Sequence, residues 1–565
     1  MKNNINARIL FLGWIFIVAG IIVLSRFLYL QVISHKTLED LANKQHLESE
    51  EILPQRGFIY DCKGRELAIS MDVPSIYAIT YQIDDKDKTA DELSKVVGIK
   101  KEELLKKFNS GKSFVWVVRR TVPEVGKKVK MLKLKGINVV MESKRFYPKE
   151  EICSHILGFV NVDNKGLEGV EYYFDNFLCG KRGYLHYEKD AKGREIISNS
   201  FTYIPPKDGY NIYLTIDEAI QSIVEEELKK AYEEFKAKEA TAIVMNPTTG
   251  EILALANQPC FDPNNISKFR QEYLKNRAIS SIFEPGSVFK IVTLAGALSE
   301  GKVTENEVIN CENGEWKIYN HEINDHIKYK MLTFKEVIAY SSNIGTAKVG
   351  MRLGSNKLYE YAKLFGFGEK THIQLGGEVK GILREPEKWS KISCCSISIG
   401  QEVGVTAMQL TAALSAVANK GKLMQPLIVK YIKDKQGNIV MEFKPKEIRQ
   451  VIDEKVSRRM VKILKEVVEN GTGKEAKIEG YSVAGKTGTA QKIDPKTKKY
   501  SVNKFVASFG GFVPADAPKI VIFVSIDEPN KIYWGGSVSA PVFSRIGKRV
   551  LRYLDKENYD IVRSY

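Results

Sequence analysis

Cysteine and histidine are scarce in this chain, with seven of each among 565 residues. The cysteine count is odd and the spacing shows no pairing pattern, so we predict no disulfide framework and mostly free thiols. The sequence contains no repeat and no tract dominated by proline or glycine, which excludes fibrous and disordered classes. This length predicts roughly three or four domains.

Nucleic-acid motifs are also missing. The formal net charge is +16, but lysine is scattered along the chain instead of clustering, so we predict no nucleic-acid partner. A solvated basic surface explains the charge most simply. An anionic membrane or an anionic cell-wall polymer is an equally compatible partner.

Long apolar runs are rare, with one exception near the N-terminus. Residues 9–24 carry no charge, and residues 27–30 extend the apolar run past Arg26. The segment approaches the ~20 residues that span a bilayer. Lys2 and Arg8 precede it, which favours a cytoplasmic N-terminus. A cleaved signal peptide is the alternative, but no small-x-small site follows. We therefore predict an uncleaved, single-pass signal anchor in the plasma membrane, with the chain after roughly residue 33 outside the cytoplasm.

Changes in composition divide the remaining chain. We predict a polar helical connector over 36–52, and then strands and loops with a charged helical insert around 84–110. The expected segments are a tail and anchor (1–35), a strand-rich domain (36–212), a larger domain (213–555) and a C-terminal tail (556–565).

The larger segment begins and ends with strand patterns and is helical between them. An amphipathic helix (218–238) leads to a predicted hairpin with strands 241–246 and 251–256. Near the end, two strand patterns (505–513 and 520–527) precede a closing helix (541–553). This arrangement predicts one antiparallel sheet assembled from both ends of the domain.

Ser287 and Lys290 stand three residues apart, where Pro285 and Gly286 precede an apolar helical pattern. Ser287 is therefore predicted at a helix N-terminus, with Lys290 on the same face one turn later. A serine hydroxyl becomes a nucleophile when a base takes its proton, and a buried lysine with a lowered pKa can be that base. Backbone N–H groups at the helix start can stabilise an oxyanion.

A second polar segment, Ser341-Ser342-Asn343, lies between two predicted helices, and Thr333 with Glu336 forms a capping-box pattern before the first. The triplet is predicted as a tight turn that presents Ser341 and Asn343 together. In isolation, it would be an ordinary polar turn.

The third segment, Gly485–Ala490, follows the strand-like residues 479–484. Glycine on both sides of Lys486 and Thr487 predicts a strand edge that a ligand approaches closely. Lys486 can fix a carboxylate, and a backbone N–H near Thr489 can complete an oxyanion hole. A solvated hairpin is the alternative for this segment alone.

Together these segments read S-x-x-K, S-x-N and K-T-G in one predicted domain, and this set resembles the penicillin-binding proteins and serine β-lactamases. The longer sequence segments around these motifs, EPGSVFK, SSNIG and GKTGTA, are similar to those of class B penicillin-binding proteins. They are closer to the division and sporulation types than to the elongation types.

The resemblance extends upstream, to motifs at residues 56–68, 145–148, 155–158 and 166–171 that are similar to those of the class B pedestal. It implies a multidomain α+β fold with an N-terminal transmembrane helix. An elongated, mostly-β pedestal (dimerisation) domain follows, and then a β-lactamase/transpeptidase-like domain whose antiparallel sheet is flanked by helices.

The resemblance also implies a function, the cross-linking of peptidoglycan stem peptides through a Ser287 acyl-enzyme that β-lactams inhibit, and septal wall synthesis is the expected setting. Lys290 would be the base, and Ser341 would pass a proton to the departing D-Ala. The implied substrate-binding residues are Asn343, Lys486, Thr487, Gly488 and Thr489. No cofactor is implied. A membrane glycan polymerase and division proteins are expected partners.

Other interpretations stay open at this level. A β-lactamase or β-lactam sensor shares the three motifs, and a non-catalytic division scaffold would use the fold only to bind partners. Cys311, His321, Asp325 and His326 are of metal-ligating residue types, but their spacing matches no known pattern, so we predict no metal site.

Overall fold

The computed structural model describes residues 2–38, 47–189, 195–196, 202–494, 497 and 499–563. These residues form two compact units. The smaller unit contains the described residues of 1–55 and 180–208, and the larger contains those of 56–179 and 209–565.

Strands are numbered in chain order. They are β1 Leu47–Ile52, β2 Ile59–Tyr60, β3 Glu66–Ile79, β4 Phe114–Val118, β5 Ile137–Phe146, β6 Gly183–Lys189, β7 Glu195–Ile196, β8 Thr202–Ile204, β9 Asn211–Leu214, β10 Glu239–Met245, β11 Ile252–Gln258, β12 Val308–Asn310, β13 Glu315–Ile318, β14 His321–Asn324, β15 Met331–Thr333, β16 Lys422–Met424, β17 Val429–Lys433, β18 Ile439–Glu442, β19 Glu447–Gln450, β20 Ala484–Ile493, β21 Tyr500–Val513 and β22 Ile520–Asp527. The α-helices span Lys2–Leu28, Lys86–Val97, Lys101–Phe108, Pro123–Leu132, Ser154–Leu157, Gly169–Tyr173, Asp175–Leu178, Glu218–Glu234, Arg277–Ser280, Lys290–Ser299, Phe334–Ala339, Asn343–Leu353, Ser355–Leu364, Ser393–Ser398, Ala407–Ala418, Glu454–Glu469 and Gly535–Arg563.

In the smaller unit, the N-terminal helix continues as a π-helical turn, Tyr29–Ile33. The part Ala7–Ile33 is long and apolar enough to cross a membrane, and its apolar window has no buried residues. The predicted apolar span is therefore one continuous helical segment. In the same unit, β6 pairs with β1, β7 and β8 in an antiparallel sheet.

A seven-stranded sheet in the larger unit has the order β18-β17-β9-β2-β3-β4, with β5 also paired to β3. Ala90, Leu104 and Val129, from three helices between β3 and β5, form an apolar core with Ile76 and Val117 of the sheet. Two of these helices are the predicted charged insert. The expected domain boundary near residue 212 falls within β9, so the domain limits stay a prediction.

The five-stranded antiparallel sheet has the order β11-β10-β22-β21-β20. The predicted hairpin β10–β11 forms one side, and β10 pairs with the late strand β22, with Ala242 opposite Val524. The sheet is therefore assembled from both ends of the domain, as predicted. This order leaves β20, which carries the K-T-G segment, at an edge.

Both faces of this sheet are buried, because successive side chains of a strand point to opposite faces. Along β22, Ile522 and Val524 belong to one apolar core, whereas Val521 and Phe523 belong to another. The helices Glu218–Glu234 and Gly535–Arg563 contribute to the first core, and Lys290–Ser299 and Ala407–Ala418 to the second. Because apolar cores pack on both faces of the sheet, they fix the position of the strands, including β20 with the K-T-G segment.

Three local predictions were wrong. Residues 47–52 form strand β1 where a helical connector was predicted, because they pair with β6; residues 39–46 lie outside the described residues. Residues 479–484 were predicted as a strand, but strand β20 begins only at Ala484. The closing helix starts six residues before Pro541 and ends at Arg563, because Val538 and Ala540 are buried and packing overrides the proline as a start signal.

Candidate active site

Ser287 lies in a 3₁₀ turn, Gly286–Phe289, that leads directly into the helix Lys290–Ser299. Gly286 has a φ of +52°, a left-handed value that favours glycine. Ser287 faces a cleft, whereas Lys290 is fully buried. The predicted position of Ser287 at a helix start, with Lys290 one turn later, agrees with the structure.

Ser341 and Asn343 are presented by the turn between helices Phe334–Ala339 and Asn343–Leu353, and the predicted capping box opens the first of these helices. Ser341 has a φ of +61°. Left-handed backbone is uncommon for serine and persists where surrounding contacts hold it. Here the buried Lys290 supplies those contacts, because its amine donates to oxygen atoms along the turn.

The K-T-G segment approaches the nucleophile turn through a glycine. A Cβ atom at Gly488 would lie 2.4 Å from Ser508 Oγ and 2.8 Å from Val288 Cγ2. Both distances are too short for a side chain, so glycine is required for β20 to lie against the turn. In the structure, the turn that carries Ser287 approaches this strand edge closely; the close approach of a ligand stays a prediction.

One hydroxyl group joins all three motifs. Ser341 Oγ donates to Ser287 Oγ at 2.9 Å and accepts from Lys486 Nζ at 2.9 Å and from Lys290 Nζ at 3.2 Å. Lys290 Nζ also donates to the Ser341 carbonyl at 2.7 Å and to Asn343 Oδ1 at 2.9 Å. In this arrangement Ser287 is linked to Lys290 through Ser341 and not by a direct hydrogen bond.

Both lysines of this network are fully buried, and their described hydrogen bonds go to hydroxyl, amide and backbone oxygens instead of carboxylates. Burial lowers the pKa of Lys290 to about 7, although Asp325 and Cys311 act to raise it. Burial, and then the charge of Lys290, lower the pKa of Lys486 well below its usual range. A neutral amine beside Ser341 is therefore accessible near neutral pH, as a base requires.

The three motifs meet at a cleft of about 730 Å³. The predicted residues that line it are Ser287, Ser341, Asn343, Thr487 and Thr489. Lys290 and Lys486 join the same site through their hydrogen bonds to Ser341. With Gly488 against the Ser287 turn, all the predicted site residues are brought together. A hydroxyl and a buried amine that can be neutral are a possible nucleophile and base.

Thr472 is a cleft residue that sequence reasoning missed. Its Oγ1 lies 2.7 Å from Thr487 Oγ1, and the two hydroxyls share a hydrogen bond. Thr489 Oγ1 in turn accepts from the Gly535 N–H at 3.0 Å. These contacts orient both threonine hydroxyls of β20. Glycines on both sides of Thr472 in the sequence were the available signal.

An aromatic wall of the cleft was also missed. The ring of Trp534 lies 4.0 Å from that of His326 and 4.8 Å from that of Tyr533, and Tyr533 stacks on Phe505 at 4.1 Å. All four side chains line the cleft. The wall offers apolar contact area to a bound ligand.

The residues of metal-ligating types have other contacts. Within the part of the chain that the structure describes, no three His, Cys, Asp or Glu side chains gather as a metal site. The Asp325 carboxylate accepts from Ser342 Oγ at 2.6 Å, and Cys311 is buried beside the same serine. His321 lies at the β13–β14 turn, and His326 belongs to the aromatic wall.

Two sequence families match the chain. The penicillin-binding protein transpeptidase domain matches residues 240–548. The penicillin-binding protein dimerisation domain matches residues 51–214. All three motifs of the cleft fall within the first match.

Curated relatives are similar over almost the whole chain. Stage V sporulation protein D of Bacillus subtilis (strain 168) is 37% identical over 559 residues, which cover 96% of this chain and 85% of that protein. The peptidoglycan D,D-transpeptidase FtsI of Escherichia coli (strain K12) is 34% identical over 564 residues, which cover 98% of this chain and 93% of that protein.

Solved structures share the fold. Penicillin-binding protein 3 of Mycobacterium tuberculosis, complexed with aztreonam, has a TM-score of 0.70 at 25% identity and covers 90% of this chain and 97% of its own. Penicillin-binding protein 2X of Streptococcus thermophilus has a TM-score of 0.74 at 27% identity and covers 89% of this chain and 80% of its own.

Proposed function

This chain belongs to the class B penicillin-binding proteins, and from that premise we propose that Ser287 carries the acyl group in its reaction. The enzyme is a serine-type D,D-transpeptidase of peptidoglycan synthesis. One observation supports the residue assignment above all others. Ser341 Oγ is hydrogen-bonded both to Ser287 and to two buried lysines.

The first step is acylation. The Ser341 hydroxyl turns to donate to Lys290, whose amine is partly neutral at pH 7, and the proton of Ser287 then passes through Ser341 to that amine. Ser287 Oγ then attacks the penultimate D-Ala carbonyl of a stem peptide, and the N–H groups of Ser287 and Thr489 stabilise the oxyanion. As the peptide bond breaks, Ser341 returns the proton to the departing D-Ala amine, so the lysine is neutral again.

The substrate is held from two sides of the cleft. Asn343 binds the backbone of the stem peptide. Lys486, Thr487 and Thr489 bind its terminal carboxylate, and Gly488 keeps β20 close to the nucleophile. The hydrogen bond between Thr472 and Thr487 supports this role, because it leaves the Thr487 hydroxyl in a fixed orientation beside the cleft.

The second step transfers the acyl group to an amine. The amine nitrogen of a neighbouring stem peptide attacks the ester, the C–O bond to Ser287 breaks, and one amine proton returns to Ser287 through Ser341 and Lys290. The product is the cross-link. A β-lactam imitates the D-Ala-D-Ala end and acylates the same serine.

The N-terminal helical segment anchors the enzyme in the membrane. We propose a cytoplasmic N-terminus, because Lys2 and Arg8 precede the apolar span, and therefore a catalytic domain outside the cytoplasm. We also propose a septal role, because the motif sequences are closer to division and sporulation types than to elongation types and because the chain is similar to a stage V sporulation protein. A membrane glycan polymerase and division proteins are the partners we propose.

The assignment is tested with fluorescent penicillin on the full-length protein in detergent. We expect the wild type to be labelled on the peptide that contains Ser287, and the Ser287→Ala variant to lose the label. Ser299→Ala, at the exposed end of the same helix, is the matched control and should label normally. Labelling of Ser287→Ala at the wild-type level, or a penicilloyl adduct on another peptide, would refute the assignment.

A further inference from the structure

Asp325 has no place in the reaction described above, yet it lies at the cleft beside the second motif. It follows strand β14 and its backbone N–H donates to the Gly314 carbonyl at 3.0 Å. Its carboxylate accepts from Ser342 Oγ at 2.6 Å, from the N–H of Ile344 at 3.0 Å, and from the N–H of Asn343. One half-buried carboxylate thus takes three hydrogen bonds from consecutive residues.

These bonds satisfy the start of the helix Asn343–Leu353. The first four N–H groups of a helix have no partner within it. Asp325 accepts from the first two, and Ser342 Oγ accepts from the third, Gly345, at 2.9 Å. A carboxylate is also the charge that a helix N-terminus favours. The turn that carries Ser341 is therefore fixed from outside by Asp325.

That turn is the one that surrounds the Lys290 amine, which donates to oxygen atoms of Ser341, Ser342 and Asn343. Three titratable groups interact electrostatically with Lys290, namely Lys486, Asp325 and Cys311. Burial raises the pKa of the Cys311 thiol, so this group is neutral at pH 7. Asp325 is therefore the negative charge that acts on the lysine, and it opposes the effect of burial.

We propose that Asp325 is a positioning residue of the transfer reaction, which orients the Ser341–Asn343 turn and places a compensating negative charge near Lys290. The inference rests on the proposed role of Ser287. It assigns Asp325 two separable effects, one on the geometry of the turn and one on the pH at which Ser287 becomes reactive.

Asp325→Asn separates these effects. The amide oxygen can still accept the two backbone N–H groups, and the amide nitrogen can donate to Ser342, so only the charge is lost. The measurement is the rate of Ser287 acylation by fluorescent penicillin between pH 5.5 and 8.5, on the full-length protein. We expect the curve of rate against pH to keep its wild-type shape. Its midpoint should move down by about half a unit or more, because Lys290 loses its proton more easily. The rate at pH 6, relative to the plateau, should rise about two-fold or more.

Two further variants make the result decisive. Asp325→Ala removes both the charge and the cap, so we expect the same downward movement together with a lower plateau. Glu475→Gln removes a carboxylate that lines the same cleft from an exposed position, and its midpoint should stay at the wild-type value.

The possible failures are distinguishable. If the wild type is labelled on Ser287 but Asp325→Asn keeps the wild-type midpoint or moves it upward, the inference about Asp325 is wrong and the proposed function stands. An equal movement in Glu475→Gln would also overturn it, since the effect would not be specific to Asp325. If the wild type is not labelled on Ser287, the proposed function itself fails.

Discussion

Two regions of the larger unit bury charged side chains, and they do so in opposite ways. In the first, Glu171 is fully buried between two arginines, with Arg145 Nε at 2.6 Å and Arg56 Nε at 2.7 Å from its carboxylate oxygens. In the second, Lys290 and Lys486 are equally buried, but their hydrogen bonds go to neutral groups.

This difference separates a structural site from a catalytic one. Burial alone would raise the pKa of Glu171, but Arg145 and Arg56 outweigh burial and hold that pKa below its usual value. Burial lowers the pKa of Lys290 to about 7, because the charge of Asp325 offsets the effect of burial only in part. A paired buried charge stays charged and holds the fold together, whereas an unpaired one becomes a proton acceptor.

The largest effect is expected from removing the unpaired amine. Lys290→Met should slow acylation of Ser287 by about 100- to 10,000-fold, the usual range for loss of a general base. Two opposing effects act on thermal stability, so it should change far less than the rate does. An apolar side chain of similar length replaces a buried amine, but the Ser341 turn loses the hydrogen bonds that Lys290 donates. The measurements are penicillin labelling rates and the melting temperature of the full-length protein.

Lys302→Met, at an exposed position beyond the same helix, is the control and should change neither quantity. If Lys290→Met acylated at the wild-type rate, the unpaired buried amine would not be needed for acylation, and the proposed catalytic role of this region would be wrong.

Removing the paired charge should act on stability instead. Glu171→Gln leaves Arg145 buried without a counter-charge and leaves Arg56 with Asp175 as its remaining partner, which costs about 3–5 kcal/mol at neutral pH. The folded-state pKa of Glu171 is lowered, so its contribution is present above its unfolded value near 4.5 and is lost as the pH falls through the folded-state value. The variant and the wild type should therefore converge in stability at acid pH.

Chemical denaturation at pH 7 and below pH 4 measures this difference. Glu168→Gln, an exposed carboxylate three residues earlier, is the matched control and should cost little at either pH. An equal loss of stability at both pH values would contradict an origin in the ionised carboxylate.

The smallest effect on acylation is expected from a change at Thr472, which lines the cleft. Thr472→Val removes the hydroxyl that bonds Thr487 but keeps the shape of the side chain. One hydrogen bond contributes about 0.5–1.5 kcal/mol, so acylation should slow about 2- to 12-fold. Thr472→Ser should restore the rate. If both variants acylated alike, the hydroxyl would have no role in orienting Thr487.

The sequence was most informative where chemistry and local pattern coincide. Ser287 and Lys290 are marked by their spacing and by the glycine before them, and Ser341 by the capping box of the preceding helix. The two-ended sheet followed from strand patterns alone, because β22 begins with an unbroken apolar run at residues 520–524.

What the sequence could not provide were contacts between distant segments. Asp325 contacts Ser342, Asn343 and Ile344 only because the β13–β14 hairpin folds against them. From its spacing in the sequence it was considered only as a metal ligand. The role of Ser341 as the link between Ser287 and the lysines depends on a left-handed backbone at that residue, which no propensity predicts. The strand at 47–52 was missed because pairing with β6 overrides its polar, helix-favouring composition.

The central claim is that a buried, unpaired amine makes Ser287 reactive. It is tested most directly by the rate of Ser287 acylation by fluorescent penicillin as a function of pH, in the full-length wild type. We predict a rate that rises with pH through a midpoint near 7, the value to which burial lowers the pKa of Lys290, and then reaches a plateau. A rate that is flat between pH 5.5 and 8.5, or that rises only near the usual pKa of lysine, would contradict the account.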